Sequence, residues 1–252
     1  HSMILLENGI IVTSEKEDKG TIVIEDGKIL DVLYSSEENY PLDVWNYRKQ
    51  ADEVIDVEGK HVIAGGIDAH VHFREPGLTH KADMATESLA AVAGGVTSVM
   101  DMPNTSPATT TAETLKQKIA LAKEKSVAKM SFHIGATNDN VEDICRLITE
   151  GDSETGITPD DIAGVKVFMG SSTGNMLVDE SQTLEKLFSI KEKPVLVHCE
   201  DEGTIKENLS RAIDTYGEDI PFREHENIRS RKACIKSSIR ALEMAMKYGT
   251  RL

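Results

Sequence analysis

The sequence predicts an α/β protein: a small all-β unit over residues 3–63, then part of a β/α barrel over residues 64–252. Short apolar runs separated by turn residues fill the first stretch, which is the rhythm of strands. From Val62 onward, apolar runs alternate with longer amphipathic ones, which implies a parallel sheet with right-handed crossovers. Ligand-type side chains stand at the C-terminal ends of several of these runs, where barrels carry their chemistry. A doubly wound sheet would share the alternation, but no glycine-rich nucleotide loop follows any strand.

Taken in order, Ile4-Leu5-Leu6, Gly9-Ile10-Ile11-Val12, Thr21-Ile22-Val23-Ile24 and Lys28-Ile29-Leu30-Asp31-Val32 read as strands. Asn8-Gly9 and Asp26-Gly27 supply turns, and Glu25-Asp26-Gly27-Lys28 is a hairpin signal. The polar stretch 35–50 is a loop or a short helix, and residues 52–57 add a strand. Then come strand 62–72, an alanine-rich helix over 81–93 ended by Gly94-Gly95, and strand 96–102. Helix 112–125, strand 129–136 and helix 139–150 follow. After a polar insertion at 151–161 come strand 164–169, helix 180–191, strand 194–198, and helices near 201–215 and 227–248. Five strand–helix units are visible.

The balance of 43 acidic against 28 basic residues leaves a formal charge of −15. Nucleic acid and anionic membrane surfaces both need a basic footprint, so neither is an expected partner. An anionic small molecule would need local positive charge from metal or arginine. Aromatics are only 4% of the chain, so the core must be aliphatic. Cys145, Cys199 and Cys234 follow no pattern, which predicts a reducing, cytoplasmic setting. No apolar run has the length of a membrane span, and the start lacks a secretory pattern. His1-Ser2 before Met3 reads as a remnant of tag cleavage.

The chemistry gathers around Asp68-Ala69-His70-Val71-His72-Phe73-Arg74-Glu75-Pro76-Gly77. In a strand, alternate residues share a face, so Asp68, His70, His72 and Arg74 are expected on one side. Two imidazoles on one face are half of a metal site; the ordinary alternative is two polar residues at a strand end. Lys166 lies in Val-Lys-Val-Phe-Met, a strand buried on both faces in a barrel. A buried ammonium needs a partner or a changed pKa. Reaction with CO2 would turn it into a carboxylate able to bridge two cations, whereas a lone strand lysine more often snorkels outward. His198 ends the apolar strand Val195-Leu196-Val197, so His70, His72, Lys166 and His198 converge on one rim. Asn104, after Met102-Pro103, is a turn former that could also join Arg74 in holding a carboxylate. Ser171-Ser172-Thr173-Gly174-Asn175 reads as a flexible loop or an active-site lid. His80, His133 and His225 lack such company and are expected to be structural. Cys199 is expected to face away from His198 as a small buried residue.

These motifs resemble the dihydroorotases of the amidohydrolase superfamily. Asp68 to Gly77, Thr79-His80-Lys81-Ala82-Asp83, Gly94-Gly95-Val96-Thr97, Asp101-Met102-Pro103-Asn104-Thr105 and Val197-His198-Cys199-Glu200 carry the resemblance. It implies a TIM-like (β/α)8 metal-dependent hydrolase barrel and a small β-sandwich built from both chain ends. His70 and His72 would bind one Zn2+, His198 a second, and an N-carboxylated Lys166 would bridge them. Arg74 and Asn104 would hold the substrate carboxylate. A further metal histidine and the proton-shuttling aspartate have no counterpart here and are expected beyond Leu252, so no catalytic acid or base is assigned in this chain.

The implied function is zinc-dependent, reversible cyclisation of N-carbamoyl-L-aspartate to L-dihydroorotate in pyrimidine biosynthesis, with a homodimer as the family expectation. The Lys-Val-Phe-Met strand is closer to dihydropyrimidinases (hydantoinases) and allantoinases, which are the neighbouring alternatives. An inactive dihydroorotase-like scaffold is a third. Because the chain stops at Gly249-Thr250-Arg251-Leu252, where a sixth strand should begin, the expectation is a piece of a longer protein without activity by itself.

Overall fold

The computed structural model describes residues 2–170 and 174–252. The lid expected at Ser171–Asn175 therefore falls largely on residues outside the described ones. Two compact units divide at Gly65/Gly66.

In the first unit, strand β1 (Met3–Val12) is central. It pairs antiparallel with β2 (Glu17–Glu25), which pairs antiparallel with β3 (Lys28–Tyr34). On its other edge β1 pairs parallel with β4 (Glu53–Asp56) and β5 (His61–Val62). The two runs expected at 4–6 and 9–12 are one strand. A register shift between Leu6 and Gly9, with Asn8 at φ 58°, makes a bulge that sequence periodicity reads as a turn. Asp26 and Gly27 both have positive φ, as a tight hairpin of the I′ type requires. The stretch 35–50 contains helix α1 (Tyr40–Arg48). Tyr40, Val44 and Tyr47 pack on Met3, Leu5, Val23 and Leu33, and Tyr47 donates to Asp31 Oδ2 at 3.0 Å.

The second unit begins with β6 (Gly66–Val71). The run expected at 62–72 is thus split, since His61 and Val62 belong to the other sheet. Then follow α2 (Met84–Ala93), β7 (Val96–Asp101), α3 (Ala112–Lys125), β8 (Lys129–Gly135) and α4 (Val141–Thr149). A 3-10 turn at Pro159–Asp161 leads to β9 (Ile162–Phe168), α5 (Ser181–Phe188), β10 (Val195–His198) and α6 (Glu202–Tyr216). A short α7 (His225–Ile228) and a long α8 (Arg231–Tyr248) end the unit. Helix starts follow side-chain chemistry. Asp83 accepts from Thr86 N, Thr111 and Thr114 cap each other, Asp201 accepts from Thr204 N, and Ser230 accepts from Ala233 N. The cap at Asp83 explains why α2 starts later than its alanine-rich pattern suggests.

The five strands lie in the order β10-β9-β8-β7-β6, all parallel. Each strand neighbours its predecessor, so there is no reversal of strand order of the kind that defines a doubly wound sheet. The arrangement is a run of consecutive β/α units, with β6 and β10 at the edges. Helices cover the apolar core: Leu184, Leu187 and Phe188 of α5 and Ile144 and Leu147 of α4 are fully buried with Val165 and Val167 of β9. The C-terminal strand ends therefore emerge together at one rim, fixed by a rigid aliphatic layer.

Candidate metal centre

His70 lies on β6 and His72 just past its end; their ring centroids are 5.3 Å apart at a tilt of 54°. The carboxylate of Asp68 turns back to accept the His70 backbone N–H at 3.1 Å. The expected strand alternation does not reach Arg74. Phe73 is buried and its N–H donates to Asp101 Oδ1 at 2.9 Å, while Arg74 takes a left-handed backbone at φ 67°. Arg74 leaves the strand face for a cleft of about 470 Å³ that it lines with Lys81, Asn104, Ser106, Asn175 and Met176. Gly77, also at positive φ, sits where a Cβ would collide with the Ser106 backbone, so the two loops after β6 and β7 pack closely only because this residue is glycine.

Lys166 is 2% exposed on β9, with its Nζ 5.0 Å from the Phe168 ring centroid. Among the described residues it has no ion pair or hydrogen bond. Burial pushes its pKa down, opposed by the nearby Cys199 thiol. His198 ends β10, and its Nε2 is 2.7 Å from Glu200 Oε2. Arg229 grips the same carboxylate with two guanidinium nitrogens, its Nε donating to Oε1 at 2.8 Å. Such a carboxylate fixes the orientation of the ring.

Electrostatics link these groups. Burial, then Lys166 and His198, lower the pKa of His70 against the pull of Asp68. Burial, Arg74 and His70 lower that of His72, opposed by Asn104 and Asp101. Both imidazoles are therefore biased to the neutral, metal-binding form. Neutral imidazoles beside a buried amine without an acid partner are a donor set that fits a metal. Among the described residues, no three His, Cys, Asp or Glu side chains cluster closely enough to hold an ion without the lysine.

Several neighbours were not expected. His133, read as structural, is buried on β8 and donates from Nε2 to Ala69 O at 3.0 Å, bracing the residue between Asp68 and His70. Its Nδ1 makes no hydrogen bond and abuts Gly164, where a Cβ would come within 2.9 Å. Cys199 is half-buried, and its thiol meets Ser237 and Ser238 of α8. Asp101 and Lys118 form a buried ion pair at 2.7 Å. Asn104 Oδ1 is buried without a hydrogen bond. A larger cavity, about 760 Å³ between α4, α5 and α8, contains none of the candidate residues.

Comparison with known proteins gives the family. The chain is 36% identical over 204 residues to a dihydroorotase of Methanosarcina acetivorans, covering 80% of this chain and 40% of the relative. It is 32% identical over 245 residues to an allantoinase of Desulfitobacterium hafniense, covering 90% and 49%. The chain spans about half or less of the length of these curated relatives. An L-hydantoinase (dihydropyrimidinase) structure from Arthrobacter aurescens shares the fold, with TM-score 0.78 at 24% identity over 99% of this chain and 51% of that one. The Amidohydrolase family model matches residues 61–237, and on that match, spanning every strand of the parallel sheet, the chain belongs to the amidohydrolase family.

Proposed function

We propose that this chain is the N-terminal part of a dihydroorotase, interconverting N-carbamoyl-L-aspartate and L-dihydroorotate. The carrying observation is the cleft beside His72 in which Arg74 and Asn104 stand together. A planar guanidinium with an amide beside it suits a ring carboxylate, and the dihydroorotase relatives support the same substrate. In this reading the five β/α units open an eight-unit barrel, and the first sheet is half of a β-sandwich. His70 and His72 would hold one zinc, His198 a second, and Lys166 would bridge them after its neutral amine attacks CO2 and loses a proton. Zinc at such a site supplies Lewis acidity and an activated water at neutral pH. Arg74 and Asn104 bind and orient the carboxylate, while Glu200 and Arg229 hold the His198 ring.

A second reading, hydrolysis of a hydantoin, dihydropyrimidine or allantoin, draws on the allantoinase relatives and on Lys166 itself. Those rings lack the carboxylate that Arg74 would read. Turnover of dihydroorotate by the protein at the length of its relatives, loaded with zinc and bicarbonate, tests the choice. Turnover of dihydrouracil or allantoin alone reverses it, and none at all, with no bound zinc, favours an inactive scaffold.

A further inference from the structure

Under the rim lies a polar device that the metal centre does not use. Lys118 projects from α3 and is 1% exposed; Asp101 ends β7 and is fully buried. The ammonium donates to Met102 O at 2.9 Å and Thr109 Oγ1 at 3.2 Å and pairs with Asp101 Oδ2 at 2.7 Å. Asp101 Oδ1 meanwhile accepts from Phe73 N. One ion pair thus ties the residue just before Arg74 to both flanks of the loop that carries Asn104. The same loop closes on itself through Thr109 N to Pro103 O at 2.9 Å, and reaches the segment after Arg74 through Ser106 N to Pro76 O at 3.1 Å. A buried ion pair is weak evidence for stability, because an apolar pair of similar volume stabilises as well or better. What an apolar pair lacks is directional bonds to three separate sites, Phe73 N, Met102 O and Thr109 Oγ1. The left-handed backbone of Arg74 also persists only where its surroundings over-determine it.

We propose that Asp101 and Lys118 are positioning residues that hold Arg74 and Asn104 at a fixed separation as a two-point reader of an anionic group. The inference rests on the carboxylate reading of their cleft. D101N/K118M removes both charges with little change of volume, and Lys118→Met alone leaves a buried carboxylate uncompensated. If the single variant does not fold, the double variant carries the test. Amide exchange is expected to accelerate at least about tenfold at residues 74–78 and 103–109, with β8 and β9 unchanged. KM for dihydroorotate is expected to rise more than kcat falls, with zinc content unchanged. Exchange that stays unchanged at both segments, or that accelerates evenly over residues 66–252, overturns the proposal. These kinetics use the protein at the length of its relatives, loaded with zinc and bicarbonate; wild type of that length that turns over no dihydroorotate refutes the substrate reading alone, since the exchange pattern still decides the positioning role.

Discussion

Replacing Lys166 by Met should stabilise the metal-free chain. The lysine is 2% exposed and, among the described residues, has no counter-charge or hydrogen-bond acceptor. Burying an amine unpaired costs about 1–3 kcal/mol. The Phe168 ring, with its centroid 5.0 Å from Nζ, returns about 0.5–1 kcal/mol to the charged form. Met fills a similar volume without a polar atom, so a net gain of about 1–2 kcal/mol follows. For a unit of this size that is a rise in Tm of about 2–8 °C. Calorimetry of both proteins in EDTA, without bicarbonate, measures it. With zinc and bicarbonate the order should reverse. Wild type then gains about 2.7 kcal/mol at a hundredfold excess over Kd, and the variant gains less because it cannot form the bridging carboxylate. A metal-free K166M protein destabilised by more than about 1 kcal/mol would refute the reasoning, since it would mean that the amine makes a favourable contact in the fold.

Arg74→Met removes a charged, bidentate contact of about 1.5–3 kcal/mol. KM for dihydroorotate should rise roughly 10- to 150-fold with a smaller change in kcat, as steady-state kinetics would show. Acid should weaken the second unit before its carboxylates titrate. Burial holds His70, His72 and His133 below the ordinary imidazole value of 6.5. The unfolded chain therefore takes up these protons first: stability is full above 6.5, is lost as pH falls through the window beneath it, and levels below the folded values. Urea midpoints at falling pH read this, and H133Q should flatten the slope. Leu184→Ala, at a fully buried position on α5, should cost about 2–5 kcal/mol by denaturant titration without altering the stoichiometry of zinc bound.

Much of the fold was legible because periodicity and caps agree locally. Helix 112–125 begins at its Thr111 cap and ends as read, and Asp26-Gly27 makes the hairpin. Periodicity does not tell which sheet a residue joins, so the apolar run expected at 62–72 hid a change of unit. The helix at Tyr40–Arg48 was obscured because its sheet-facing residues are tyrosines and a valine within a polar stretch. The six candidate residues were picked out as ligand types on or just past strands, and they remain proposals. Their neighbours were not, because a brace has no signature of its own. One signal was available: Leu115, Lys118 and Ala122 share the buried stripe of α3, so Lys118 stood at an apolar position with a charge.

The irregularities of the second unit gather at one rim. Lys166 is buried without an acid among the described residues, Asn104 Oδ1 and His133 Nδ1 lack hydrogen bonds, and Arg74 has a left-handed backbone. Each departs from a rule that the rest of the unit obeys, and each costs folding free energy. Random defects would scatter over the unit, whereas α2, α3, α6 and α8 each begin at a side-chain cap. Polar groups left unsatisfied at one place are groups awaiting a partner the fold does not supply. Neutral imidazoles beside a buried, unpaired amine suit a metal in the proposed reading; Asn104 Oδ1 lacks a donor, and the Arg74 guanidinium in the same cleft is the group that can hold an anion. Under the proposed function these are the two demands, one for a metal and one for an anion, that a site acting on a charged ring would make side by side.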